Sequence, residues 1–417
     1  MKLTKKFLLF LVAFLFLLNI PMFSFADEIS INSKAAVLVE YSTGKILYEK
    51  NSTERMYPAS TTKIMTAILV LENCELDDIV TVSSTAVSNI PSGYVTCNLQ
   101  VQEEISVKDL LYALMVPSAN DAAFALAEHV AGSVQSFSNM MNAKAMELGC
   151  TNTHFVNPNG MHDSAHYSTA YDLYLIASYA MKNETFRKLV STTTYTLPAT
   201  NKYQSADRKL ETTNHFIDPS SKKYFYEYSI GIKTGYTSVA GNCLVSMASR
   251  DGLEFISVTL GGTSTSSGSN ARYADTKELF DYAYNNYTLT KLKEKNTIID
   301  TIEIKNATKE TKNLDILIQD TITVFNSIKT NTDDIFPEIK LNENLVAPIY
   351  AGDVVGTIKY TVDSVEYTSK LLAKDDVIPK PDITIYILIT GIVLLLIGIF
   401  IIPKKKNKKK KIKKRNF

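Results

Sequence analysis

The chain has 417 residues, 45% of them hydrophobic, and 44 basic against 43 acidic side chains give a formal charge of +1. A chain this long can bury its own core. Its four cysteines, Cys74, Cys97, Cys150 and Cys243, show no C-x-x-C spacing, which excludes a disulfide scaffold and leaves a single bridge such as Cys74 to Cys97 as one option. The neutral total hides a division: the cations gathered at the two ends leave residues 27 to 402 at about −12, and with no aromatic residues interleaved among those cations no nucleic-acid partner is expected.

Residues 1–26 start with Lys2, Lys5 and Lys6, run uncharged from Phe7 to Phe25 and end Ser24-Phe25-Ala26, the pattern of a secretory signal peptide cut after Ala26. A retained anchor is the alternative. Apolar runs at 35–41 and 46–48 around Ser42-Thr43-Gly44 predict a hairpin. A largely helical stretch follows from Ser60 to about Met181, with helices over 107–115, 122–130 and 169–180. Strands are expected at 228–233, 242–248 and 253–260, the last two joined by a tight turn at Asp251-Gly252, then a closing helix over 271–290. This order reads as an α/β domain over 27–292, whose antiparallel sheet is assembled from both ends of the domain around a helical insertion.

Short period-two runs between Thr297 and Leu371 predict a small all-β, sandwich-like domain over 293–378, then a linker at 379–382. Twenty uncharged residues from Ile383 to Ile402 match the thickness of a bilayer core, and the basic tail at 403–417 would hold that side in the cytoplasm. The expectation is a single-pass protein of the cell membrane, with 27–382 outside and membrane lipids as partners of the helix and tail.

Three short polar motifs stand in order within the first domain. Ser60-Thr61-Thr62-Lys63 puts a hydroxyl and an amine three residues apart, on one face of a helix that starts nearby. A serine is a weak nucleophile, and a lysine whose pKa is depressed by burial can take its proton. Two other S-x-x-K stretches, Ser42 to Lys45 and Ser220 to Lys223, lie in a turn and a polar loop, so only Ser60 leads into an apolar helix. Ser118-Ala119-Asn120 offers a second hydroxyl and an amide, although Ser118 alone would also serve as a helix cap. Lys233-Thr234-Gly235 offers a cation, a hydroxyl and a close backbone approach at a strand end. His129, His154, His162, His166 and His215 show no ligand spacing, so neither a metal nor any other cofactor is expected.

With these motifs the chain resembles the serine D-alanyl-D-alanine carboxypeptidases, the low-molecular-weight penicillin-binding proteins that share a catalytic domain with serine β-lactamases. Further resembling stretches are Tyr57-Pro58-Ala59-Ser60, Asn120-Asp121-Ala122-Ala123, Phe155-Val156-Asn157-Pro158-Asn159-Gly160, His166 with Ser168 to Leu173, Gly231 to Thr237 and Arg272 to Thr276. The resemblance implies that Ser60 attacks the penultimate D-alanine carbonyl of a peptidoglycan stem peptide, with Lys63 as base and the backbone N–H groups of Ser60 and Tyr236 holding the oxyanion. It implies that Lys233 and Thr234 bind the terminal carboxylate, beside Gly235 and Tyr236, and that Ser118, with Asn120 near Lys63, protonates the leaving D-alanine. Penicillins are then expected to acylate Ser60. The chain departs from the family pattern at Ala119 and Gln102, where glycine is usual, and at Asn159, where histidine is usual.

The rival readings are an endopeptidase cutting peptidoglycan cross-links, a β-lactamase and a wall-binding protein without activity. The commonest β-lactamase class adds an E-x-x-x-N segment between the second and third motifs, and none occurs between Asp121 and Ile232.

Overall fold

The computed structural model describes residues 29–263 and 270–401. The expected signal peptide at 1–26 and basic tail at 403–417 lie outside them. The chain divides after Thr288 into two compact units.

The first unit opens with strands β1 (Ala35–Glu40) and β2 (Ile46–Lys50), followed by helices α1 (Lys63–Asn73), α2 (Val107–Met115), α3 (Asn120–Ala131), α4 (Val134–Glu147) and α5 (Ala170–Ala180). Strands β3 (Ser229–Thr237), β4 (Gly241–Arg250) and β5 (Leu253–Gly262) then precede helix α6 (Ala271–Asn286). The five strands form one antiparallel sheet in the order β2-β1-β5-β4-β3. Strand alternation gives β5 two buried faces. Ile256, Val258 and Leu260 enter the core shared with the helices, whereas Phe255 meets Tyr284 and Thr259 meets Thr276, both on α6. The sheet therefore lies between α6 and the helical insertion.

The β4–β5 turn is the expected tight one: Arg250 pairs with Leu253, and Asp251 and Gly252 both have positive φ, +53° and +82°, as a two-residue hairpin loop requires. The stretch from Ser60 to Met181 is less helical than expected. A strand pair, Ile79–Thr81 with Glu104–Ser106, interrupts it, and residues 148–169 hold no helix. Asparagine, glycine and proline in that second segment favour side-chain turns over helix: Asn157 Oδ1 accepts from the Gly160 N–H at 2.8 Å and its amide donates to the Met161 carbonyl. At Gln102 φ is +64°, a backbone that glycine adopts without penalty.

The second unit contains β6 (Tyr287–Lys293), which enters it across the division, and then β7 (Ile298–Glu303), β8 (Asn313–Ile318), β9 (Ile322–Ser327), β10 (Glu338–Leu341), β11 (Val354–Val362) and β12 (Val365–Ala373). Strands β7-β8-β12-β11-β10 form an antiparallel sheet and β6 pairs with β9. Its own core gathers Ile316, Val324, Ile358, Tyr360 and Leu371.

The expected membrane span over 383–402 is corrected. Helix α7 runs over Ile383–Ile401, but among the described residues no helix is long and apolar enough to cross a membrane. The single-pass placement in the cell membrane, with its outside and cytoplasmic ends, and the lipid partners inferred from that span fall with it.

Candidate active site

Ser60 lies in a single 3-10 turn, Ala59–Thr62, that runs directly into α1. Lys63, the first residue of α1, is fully buried, and its Nζ lies 3.1 Å from Ser60 Oγ, 2.9 Å from Asn120 Oδ1 and 2.9 Å from the Asn159 carbonyl oxygen. Burial, then the positive charge of Lys233, holds the Lys63 amine well below its ordinary pKa, with Asp121 opposing. A neutral amine has two N–H groups and one lone pair. The two carbonyl oxygens take the N–H groups, which leaves the lone pair for the Ser60 hydroxyl.

The Asn120 amide is oriented from behind: its Nδ2 donates to the Val95 carbonyl at 2.9 Å, so its Oδ1 must face Lys63. The neighbouring Asp121 fixes the loop that carries Val95, accepting from the backbone N–H groups of Cys97 and Leu99 at 3.0 Å. Ser118 does not cap α3; Ala119 holds that position without a side-chain bond, and Ser118 stands at φ +72°.

The Lys233-Thr234-Gly235 motif lies inside β3 rather than at its end. Gly235 answers a tighter constraint than substrate approach, since a Cβ there would stand 3.0 Å from the Pro58 carbonyl oxygen and 3.0 Å from the Ser60 nitrogen. Lys233 is buried, its Nζ donating to the Thr234 carbonyl at 3.2 Å. Burial and then the charge of Arg272 push its pKa down to about 7. Thr234 Oγ1 lies 3.2 Å from Thr213 Oγ1.

A cleft of about 860 Å³ brings together Ser60, Ser118, Asn120, Thr234, Gly235 and Tyr236. Lys63 and Lys233 stand behind its wall. Arg272 also lines the cleft, held by Asn242 and Asn270 through its guanidinium.

Several supporting residues escaped the sequence reading of the site. His166 joins a loop to the nucleophile turn: Nδ1 accepts from the Val156 N–H at 3.1 Å, so Nε2–H donates to Thr62 Oγ1 at 2.8 Å. Burial lowers its pKa to about 4, keeping it neutral. Thr66 Oγ1 donates to the Pro158 carbonyl, and Gly160 fits where a Cβ would stand 1.8 Å from the Ala59 carbonyl oxygen. Asn159 contributes through its backbone oxygen, which leaves no mark in side-chain chemistry. His166, Asn159 and Arg272 fall in the resembling stretches, the one signal that pointed near them.

A family model described as D-alanyl-D-alanine carboxypeptidase matches residues 23–264, and one described as penicillin-binding protein 5, C-terminal domain, matches residues 287–378. The chain is 33% identical over 363 residues to the D-alanyl-D-alanine carboxypeptidase DacF of Bacillus subtilis, covering 85% of this chain and 87% of that one. It is 39% identical over 254 residues to the D-alanyl-D-alanine carboxypeptidase of Streptomyces sp. strain K15, covering 58% and 84%. Among solved structures, penicillin-binding protein 5 from Haemophilus influenzae superposes with a TM-score of 0.63 at 28% identity, over 85% of this chain and 99% of that one.

Proposed function

The chain belongs to the D-alanyl-D-alanine carboxypeptidase family, and from that premise we propose that Ser60 is its nucleophile and Lys63 the base that activates it. The protein is a serine-type D-Ala-D-Ala carboxypeptidase, which removes the terminal D-alanine from peptidoglycan stem pentapeptides. It binds stem peptides ending in D-Ala-D-Ala and β-lactams.

One observation carries the residue assignment: buried Lys63 Nζ lies 3.1 Å from Ser60 Oγ and 2.9 Å from two carbonyl oxygens, so that in its neutral form the oxygens would take both N–H groups and leave the lone pair for Ser60. As Ser60 Oγ bonds to the penultimate D-alanine carbonyl carbon, its proton passes to Lys63 Nζ. The oxygen gains the charge, and the backbone N–H groups of Ser60 and Tyr236 receive it beside the start of α1. Cleavage of the peptide bond expels D-alanine, whose nitrogen takes a proton relayed through Ser118, with Asn120 keeping Lys63 in register. Water then attacks the acyl carbon, Lys63 accepts its proton, and Ser60 leaves with a proton restored.

The terminal carboxylate falls to Thr234 and to the positive end formed by Lys233 and Arg272, beside Gly235 and Tyr236. A carboxylate arriving there favours protonated Lys233, so binding draws the proton that burial resists. We place this chemistry in residues 27–292 and assign 293–378 to spacing or docking, a division supported by the two family matches.

The test is D-alanine release from a diacyl-Lys-D-Ala-D-Ala peptide by the wild type and by Ser60→Ala. Release by the wild type alone, with loss of covalent penicillin labelling in the variant, is the expected result. Equal release by both would remove Ser60 from the mechanism.

A further inference from the structure

Helices α1 and α3 carry Lys63 and Asn120 at their first positions, where the two side chains bond to each other. The helices pack against each other, and Cys74 and His129 bring their far ends together as well. Cys74 is the residue at which α1 stops, its backbone N–H still donating to the Val70 carbonyl at 3.0 Å. His129 lies in the last turn of α3. Asp78, four residues beyond Cys74, comes back to the same place. One ligand atom from each of Cys74, Asp78 and His129 falls within 4.8 Å of the other two.

We propose that Cys74, Asp78 and His129 form a binding site for a zinc-type divalent cation, which ties the C-terminal end of α1 to that of α3. A search for ligand spacing along the chain could not find it, because His129 is separated from the other two by a strand pair and two helices. The donor set is one sulfur, one imidazole nitrogen and one carboxylate oxygen, which suits borderline zinc better than the hard cations that prefer all-oxygen sites. Three protein ligands leave the fourth tetrahedral position to water. Asp78 is already oriented: its Oδ2 accepts from the Glu75 N–H at 2.9 Å, which leaves Oδ1 for the ion. Asp78 and His129 are exposed and Cys74 is half-buried, so the ion has a path in from solvent. On binding, the Cys74 thiol gives its proton to solvent and the sulfur–metal bond takes its place.

The site stands at the opposite ends of the two helices from Ser60, and no step of hydrolysis passes through it. Its effect is on the scaffold. An ion that binds the folded chain and not the unfolded one raises its stability, and here it does so across the helix pair whose other ends align Lys63 with Asn120.

Cobalt(II) is the probe, because a cobalt–thiolate bond gives a charge-transfer absorption that other ligands do not. Metal-free, reduced full-length protein titrated with cobalt(II) is expected to develop this band, saturating at one ion per chain, and zinc(II) is expected to displace it. Cys74→Ser should abolish the band, and His129→Ala or Asp78→Asn should weaken binding about tenfold or more. Zinc(II) should raise Tm by a few degrees in the wild type and leave the Tm of Cys74→Ser unchanged. No charge-transfer band, or a band that survives in Cys74→Ser, would overturn the site. Should Cys74→Ser fail to fold, undiminished affinity in both His129→Ala and Asp78→Asn would overturn it as well. D-alanine release by the metal-free protein is expected to persist, which separates failure of this site from failure of the active-site assignment.

Discussion

The site works because burial has made two lysines poor cations. Replacing Lys63 with methionine keeps the volume and removes the base, so kcat should fall by roughly 10²–10⁴-fold while the protein remains folded by circular dichroism. Lys233 supplies a pH signature. Its pKa falls from 10.5 to about 7 on folding, so between those values the unfolded chain binds more protons and stability rises with pH. The penalty for burying the charge is complete below pH 7 and absent above 10.5. Tm should therefore climb from pH 7 to 9.5 more steeply in the wild type than in Lys233→Met, and parallel curves would contradict the assignment. His166 follows the same sign in a lower window: with its pKa down from 6.5 to about 4, stability is lost as pH falls from 6.5 towards 4. That loss should be smaller in His166→Gln, measured by urea unfolding at pH 7 and pH 4.5.

Short elements hold these groups, and they differ in how plainly the sequence announces them. The tight turn at Asp251-Gly252 was legible because two successive positive φ angles demand those residue types. The motif Lys233-Thr234-Gly235 was legible as chemistry, yet its place within β3 was not, since polar residues in a strand with one face on a cleft resemble a strand end. The segment 148–169 was misread as part of a helical region, and its contribution was hidden for a further reason. It acts through the Asn159 and Pro158 carbonyls on Lys63 and Thr66, and any residue type carries a carbonyl. Its tightest steric demand is Gly160. Gly160→Ala places a Cβ 1.8 Å from the Ala59 carbonyl oxygen, so it should cost more than about 3 kcal/mol and activity together. Gly252→Ala, at φ +82° but in an exposed turn, should cost about 1–2 kcal/mol and leave kcat unchanged. Urea denaturation with activity assays on both variants separates the two.

At the scale of the molecule the two units have separate cores with no residue in common. Each was legible as a class, the first from alternating strand and helix patterns and the second from short period-two runs. The membrane span was overread: the stretch does form a helix, α7, but among the described residues no helix is long and apolar enough to cross a membrane. Two cores imply two unfolding events. Calorimetry should resolve two transitions, and saturating penicillin should raise the one belonging to residues 29–288 while leaving the other in place; a single transition shifted as a whole would contradict this.

Strand β1 lies between β2 and β5, and its second neighbour is made more than two hundred residues later. A ribosome that has delivered Ser60, Lys63 and Asn120 has therefore not yet delivered the strand that closes the sheet around them. Until residue 262 emerges, the nascent chain exposes an apolar strand edge with no permanent occupant. The last third of the first unit thus times the birth of its active site, and a chain stalled before β5 is a substrate for holding chaperones rather than an early hydrolase.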